Sequence, residues 1–154
     1  MKKRVIGASI AIAGLTLAGG MFAVNKIIDN NARSKKRSQP TDRKIMKWRF
    51  GDIAFTKKGK GSPILLIHDL NPYSSLDEWQ KVTANLSKNH TVYAIDLIGC
   101  GASAKPDITY SNYLYVQLIT DFIVKIIGEK TTVIASGVSA SFTVMACNIN
   151  PDYF

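Results

Sequence analysis

Thr131-Thr132-Val133-Ile134-Ala135-Ser136-Gly137-Val138-Ser139-Ala140-Ser141 is the stretch on which the fold turns. Its first five residues are β-branched or apolar, and they predict a short buried strand. Small residues follow. An apolar stretch that begins at Ser139 and runs to about Asn148 then predicts a helix. A strand that passes within a few residues into a helix needs a sharp turn, and small side chains let the two backbones crowd together there. A side chain held at such a turn stands at strained geometry above the sheet, where a nucleophile could be presented.

Working outward, the pattern of short strands and helices repeats. Ile64-Leu65-Leu66-Ile67 is a continuous apolar run after Pro63, as expected of a strand covered on both faces. Ser75 and Glu78 have capping-box spacing, and Leu76, Trp79, Val82 and Leu86 recur at helical spacing behind them. Thr91 to Ile95 reads as a second buried strand ending at Asp96. Leu97 to Pro106 is a small-residue loop. Leu114, Leu118, Ile119, Phe122, Ile123 and Ile126 line one face of a helix running to about Ile127, with Gly128 as its C-terminal cap. Upstream, Trp48 and Phe50 alternate with polar residues, Gly51-Asp52 supplies turn chemistry, and Ile53 and Phe55 resume the alternation, which predicts a hairpin. Strands alternating with helices predict an α/β chain with a parallel, doubly covered sheet and right-handed crossovers.

Three segments carry a family resemblance. Gly137-Val138-Ser139-Ala140-Ser141 resembles the Gly-x-Ser-x-Gly nucleophile elbow of the serine-type α/β-hydrolases, with Ser141 in place of the last glycine. His68-Asp69-Leu70, after the strand Ile64 to Ile67, resembles the family's His-Gly-x loop, with Asp69 in place of glycine. Asp96-Leu97-Ile98-Gly99-Cys100-Gly101-Ala102-Ser103-Ala104-Lys105-Pro106 resembles its Asp-x-x-Gly-x-Gly-x-Ser-x-x-Pro loop. The three occur in family order and cover about Trp48 to Phe154. The resemblance implies a mostly parallel, doubly wound sheet of the α/β-hydrolase type, incomplete at its C-terminal side. It also implies roles. Ser139 would attack a carbonyl carbon, and the backbone N–H groups of Leu70 and Ala140 would hold the oxyanion. Asp69 would bring a side chain, with its charge, beside that oxyanion hole.

The family orders its triad as Ser, then Asp or Glu, then His. His68 and His90 both precede Ser139, so neither fits: His68 reads as a structural residue of the oxyanion loop and His90 as an exposed turn residue. Asp96 reads as a hydrogen-bonding residue at a strand end, and Asp152 comes too early for the triad acid. A serine without a positioned base is a poor nucleophile, so the expectation is a fragment of a longer hydrolase with little activity alone. Its sheet would end at the strand before Ser139, leaving one edge unpaired. Cys100 and Cys147 form no Cys-x-x-Cys pair and stand at no ligand spacing from a histidine; they fit reduced core thiols or one disulfide. Neither a metal nor a cofactor is implied.

The chain has 154 residues, is 46% apolar and carries a net charge of +9, which at first suggests nucleic acid. The charge lies at one end. Residues 1–50 hold twelve Lys and Arg against two Asp, while residues 51–154 hold eight Lys against nine acids. The folded part is near neutral, and no nucleic-acid surface is expected. Lys2, Lys3 and Arg4 precede an uncharged apolar run from Val5 to Asn25, long enough for a membrane-spanning helix. Residues 1–25 are therefore expected to be a membrane anchor or uncleaved signal, residues 26–45 a basic linker and residues 46–154 the N-terminal portion of the hydrolase domain. The basic flank, attracted to anionic lipid, predicts a single-pass cell-membrane protein with its domain in the cytoplasm. The alternative is export after cleavage of a signal peptide.

Two rival readings remain. Gly99-Cys100-Gly101-Ala102-Ser103-Ala104 satisfies Gly-x-Gly-x-x-Ala, a dinucleotide-binding pattern, but Lys105-Pro106-Asp107 prolongs the loop where that motif should open a helix. The other rival is a non-catalytic, membrane-tethered module in which Ser139 is a small residue at a tight turn. Within the hydrolase reading the partner is a small-molecule acyl substrate. Serine argues against the aspartate-nucleophile branches and leaves esters, amides, thioesters or carbon–carbon cleavage.

Overall fold

A computed structural model of the chain describes residues 42–154. In chain order the elements are strands β1 (Lys44–Trp48), β2 (Gly51–Lys58) and β3 (Pro63–Ile67), a 3-10 turn Leu76–Trp79 continued by helix α1 (Gln80–Leu86), and strand β4 (Thr91–Ile95). Helix α2 (Asn112–Phe122) ends in a π-helical turn Ile123–Ile127, and strand β5 (Thr132–Ala135) leads to helix α3 (Ser139–Ile149) and a 3-10 turn Pro151–Tyr153.

The strands form one sheet in the order β1-β2-β4-β3-β5. β3 pairs in parallel with β4 and with β5, so the three strands expected to be parallel are so. The N-terminal hairpin adds an antiparallel pair, joined to β4 through β2, and the open sheet is mixed. Its chain reversal falls on Arg49 and Phe50, one step before the Gly51-Asp52 pair, because Gly51 already pairs with Trp48.

The continuous apolar runs have the expected cause. Every residue of β3 is buried, and its side chains alternate between two clusters. Leu65 and Ile67 join Phe55, Tyr93, Ile95 and the inner faces of α2 and α3, while Ile64 and Leu66 join Leu76, Val92 and Ala94 beneath Trp79 and Leu86. Burying each large apolar side chain contributes about 1.5–3 kcal/mol, so a strand apolar on both sides is stable only between two helical layers.

Two elements differ from the periodicity. Ahead of α1, the 3-10 turn changes the phase of the helix, and Thr83 faces inward while Val82 is exposed. β5 is not covered on both faces: Thr132 and Ile134 are exposed, since the strand lies at the sheet edge with β3 as its one neighbour. Within the supposed linker, Arg43 is largely buried; its Nη2 lies 3.0 Å from Asp77 Oδ2 and its Nη1 3.7 Å from Asp96 Oδ2.

The expected cell-membrane location is corrected. Among the described residues no helix is long and apolar enough to cross a membrane. The longest helical run among the described residues, from Asn112 through Ile127, carries Gln117, Thr120, Asp121 and Lys125. A span needs about twenty predominantly apolar residues. The run Val5 to Asn25, on which the expectation rested, lies outside the described residues.

Candidate active site

The C-terminal ends of β3, β4 and β5 lie side by side, because these strands are parallel neighbours, and the loops that leave them meet there. In open parallel sheets this is where ligand sites are built.

The loop after β3 is held by buried polar bonds. His68 is fully buried; its Nε2 accepts the Leu97 N–H at 3.0 Å, and its Nδ1 lies 2.6 Å from the Asp69 carbonyl oxygen. A backbone N–H can only donate and a carbonyl only accept, so the ring is neutral with its proton on Nδ1. His68 thus ties the end of β3 to the end of β4. Asp96 is also fully buried: Oδ1 accepts the Leu76 N–H at 2.7 Å and Oδ2 the Ala102 N–H at 2.8 Å. Both residues are used structurally, as their positions at strand ends suggest.

At the turn after β5, the left-handed residue is Gly137, with φ +56, and no non-glycine residue among those described has positive φ. Val138 has already returned to helical angles, and α3 begins at Ser139. Ser139 is fully buried, and its Oγ donates to the His68 carbonyl oxygen at 2.7 Å. The Ala140 N–H donates to the Gly137 carbonyl at 3.2 Å. The Leu70 N–H is also engaged, donating at 2.8 Å to Oδ1 of Asp69. Leu70 and Ala140 are therefore not brought together on a shared point. A different pair is: the Val138 N–H reaches the same Asp69 Oδ1, also at 2.8 Å.

These two N–H groups hold the Asp69 carboxyl below its ordinary value, the Val138 bond contributing most and the Leu70 bond next. A Cβ on Gly137 would overlap the same carboxylate. Neither Gly137 nor Val138 stands out from the Gly-x-Ser match. A signal was present in the strand end at Ala135, which leaves only two residues to Gly137, the residue best suited to a left-handed turn.

Beside this turn an open cleft of about 300 Å³ is lined by Leu70, Asn71, Pro72, Gly99, Cys100, Tyr110 and Tyr115. Tyr115 stacks on Phe142 of α3 with ring centroids 5.0 Å apart. Burial pushes the Cys100 thiol up and the Tyr115 hydroxyl up to about 12, so both are neutral near pH 7. The lining carries no charge, and its cysteine is no thiolate nucleophile. Among the described residues no group of His, Cys, Asp and Glu could hold a metal ion.

No protein-family model matches the sequence. The chain is 34% identical over 73 residues to a 2-hydroxy-6-oxo-6-(2'-aminophenyl)hexa-2,4-dienoic acid hydrolase of Metapseudomonas resinovorans, a match covering 47% of this chain and 25% of that protein. It is 31% identical over 104 residues to a haloalkane dehalogenase of Agrobacterium fabrum, covering 67% of this chain and 34% of the dehalogenase. Among solved structures, an α/β hydrolase fold protein from Burkholderia ambifaria superposes with a TM-score of 0.67 at 22% identity, over 72% of this chain and 40% of that one. The chain spans about a quarter to a third of the length of these curated relatives. Its described residues have the α/β-hydrolase fold.

Proposed function

We propose that the described residues form the elbow side of a small-molecule site of the α/β-hydrolase type, in which Ser139 is a structural residue and not the nucleophile. Ser139 itself carries the proposal: its Oγ is fully buried and donates to the His68 carbonyl. A nucleophilic hydroxyl must reach a carbonyl carbon and hand its proton to a base, whereas this one is shut away from solvent and donates its proton to a backbone carbonyl. The left-handed angle at Gly137 supports the same view, since the strained residue of such an elbow is the one that presents its side chain above the sheet. The uncharged, apolar cleft beside Leu70 supports a small and largely apolar ligand. The names of the two relatives, a dienoic acid hydrolase and a haloalkane dehalogenase, support small organic molecules as the ligand class.

A second reading keeps Ser139 as the nucleophile of an acyl hydrolase, with the Leu70 and Ala140 N–H groups as its oxyanion hole. Its support is the Gly137-Val138-Ser139 spacing together with the hydrolase relatives. It requires Ser139 Oγ to leave the His68 carbonyl and Asp69 to release Leu70. A serine without a positioned base labels poorly on either reading, so the stability of Ser139→Ala distinguishes the two. Fluorophosphonate treatment of the folded full chain, with adducts mapped by mass spectrometry and Ser139→Ala as the control, tests the nucleophile reading directly. No adduct at Ser139, together with a marked stability loss in Ser139→Ala, is the expected result. An adduct that the alanine variant lacks overturns the proposal.

A further inference from the structure

We infer that Asp69 is a built-in plug of the elbow: its carboxylate stands where a side chain on residue 137 would stand and occupies the N–H groups of Leu70 and Val138. This deepens the proposal above, since it rests on Gly137, and not Ser139, being the apex of the turn.

The two donors come from different loops, after β3 and after β5, and converge on one atom, Asp69 Oδ1, at 2.8 Å each. In a serine elbow the residue after the nucleophile and the loop after the third strand supply the pair of N–H groups that hold the oxyanion. With Gly137 at the apex, that pair is Val138 and Leu70. Here it already has an oxygen. Hydrogen bonds to an ionised carboxylate are roughly twice as strong as neutral ones, so a neutral carbonyl oxygen is a poor competitor for the position. The plug also remains charged at neutral pH, which adds repulsion against any anionic ligand or oxyanion.

Gly137 is the other half of the device. A Cβ there would overlap Oδ1 and Cγ of Asp69, so a side chain at the apex has to push the carboxylate off its two N–H donors. The two departures from the family pattern, an acid at 69 where glycine is usual and a glycine at the apex, are then complementary in space. With the carboxylate on the two N–H groups, what remains open is the uncharged cleft that starts at Leu70.

The test is a double-mutant cycle on the full chain in urea, with Asp69→Gly, Gly137→Ala and the pair. Gly137→Ala alone is expected to lower the folded-to-unfolded ratio at least a hundredfold, because steric overlap adds to the left-handed backbone cost. In the Asp69→Gly background only that backbone cost remains, and the loss falls to about tenfold. If Gly137→Ala does not fold, a folded double variant is the supporting result and an unfolded one overturns the inference. Equal losses in both backgrounds overturn it too. Amide hydrogen exchange gives an independent readout: Leu70 and Val138 should exchange at least tenfold faster in Asp69→Gly, and unchanged protection means that Asp69 does not hold them. A fluorophosphonate adduct at Ser139 would remove the structural role of that serine without touching the coupling of 69 and 137. Equal losses would remove the plug and leave Ser139 buried.

Discussion

Replacing Ser139 with alanine separates a structural hydroxyl from a reactive one. Alanine fits the space without leaving a cavity of consequence, so the change isolates one hydrogen bond, from Oγ to the His68 carbonyl at 2.7 Å. A neutral hydrogen bond contributes a net 0.5–1.5 kcal/mol or so, and leaving a buried acceptor without its donor raises the loss to about 1–3 kcal/mol. Taking about 2 kcal/mol, the folded-to-unfolded ratio falls roughly thirtyfold. With a urea slope near 2 kcal/mol/M, the midpoint falls by about 1 M at unchanged slope. Ser141→Ala is the control. Ser141 Oγ also donates at 2.7 Å, to the Val138 carbonyl, but the residue is exposed and water replaces the bond. That variant should stay within about 0.5 kcal/mol of the parent. If Ser139→Ala is no less stable than Ser141→Ala, the buried bond is not formed in solution and the structural role of Ser139 is refuted.

Three further outcomes follow from the same loops. Asp96→Ala strands the Leu76 and Ala102 N–H groups and leaves Arg43 facing no carboxylate there, so it should cost about 3–5 kcal/mol in urea unfolding. Asp96→Asn keeps one acceptor oxygen and should fall between it and the parent; equal losses would contradict the bonding described. His68 should show the tautomer with Nδ1 protonated and Nε2 bare in long-range nitrogen–proton spectra at neutral pH, and the opposite tautomer is incompatible with its two partners. Asp121 feels burial, which acts to raise its pKa, but the bonds from Trp48 and Arg49 and the charge of Lys125 outweigh it and hold the carboxyl below its usual value. A depressed folded pKa means that its stabilisation is complete above the unfolded value of about 3.9 and disappears as pH falls through the folded one. The stability gap between the parent and Asp121→Asn should therefore be flat at neutral pH and close on acidification below that range; a gap that widens there contradicts the assignment.

The strands were legible because burial on both faces leaves a direct trace. Ile64 to Ile67 is apolar without interruption, and the structure buries all of it between two helical layers. Helix faces were less legible where the helix changes type: the 3-10 turn at Leu76–Trp79 rotates Val82 outward, and nothing in a 3.6-residue period announces that. The edge position of β5 was legible only from topology, not from its apolar composition, which looks like that of a covered strand. Arg43 is not distinguishable in the sequence, because a cation in a basic run resembles its solvated neighbours. What distinguishes it is its ion pair with Asp77 and its approach to buried Asp96, contacts made across more than thirty residues of chain.

On the proposed reading, the site was legible in its parts and not in its register. Two patterns of small residues overlap in this turn, Ala135-Ser136-Gly137-Val138-Ser139 and Gly137-Val138-Ser139-Ala140-Ser141, and only the second has serine at its centre. Backbone geometry follows the first, because β5 stops at Ala135 and the chain turns two residues later at φ +56. Shifting the apex by two residues changes every role. Ser139 becomes the small residue packed under the turn, its hydroxyl holding the end of β3 through the His68 carbonyl, while His68 holds β4 through Leu97 and Asp96 holds the loops on either side of it. The polar residues that resemble catalytic machinery thus satisfy buried backbone groups, and they do so where three strand ends would otherwise leave those groups bare. Asp69 completes the set by bridging the first of these loops to the last, and its carboxylate closes the position at which a serine elbow would begin its chemistry.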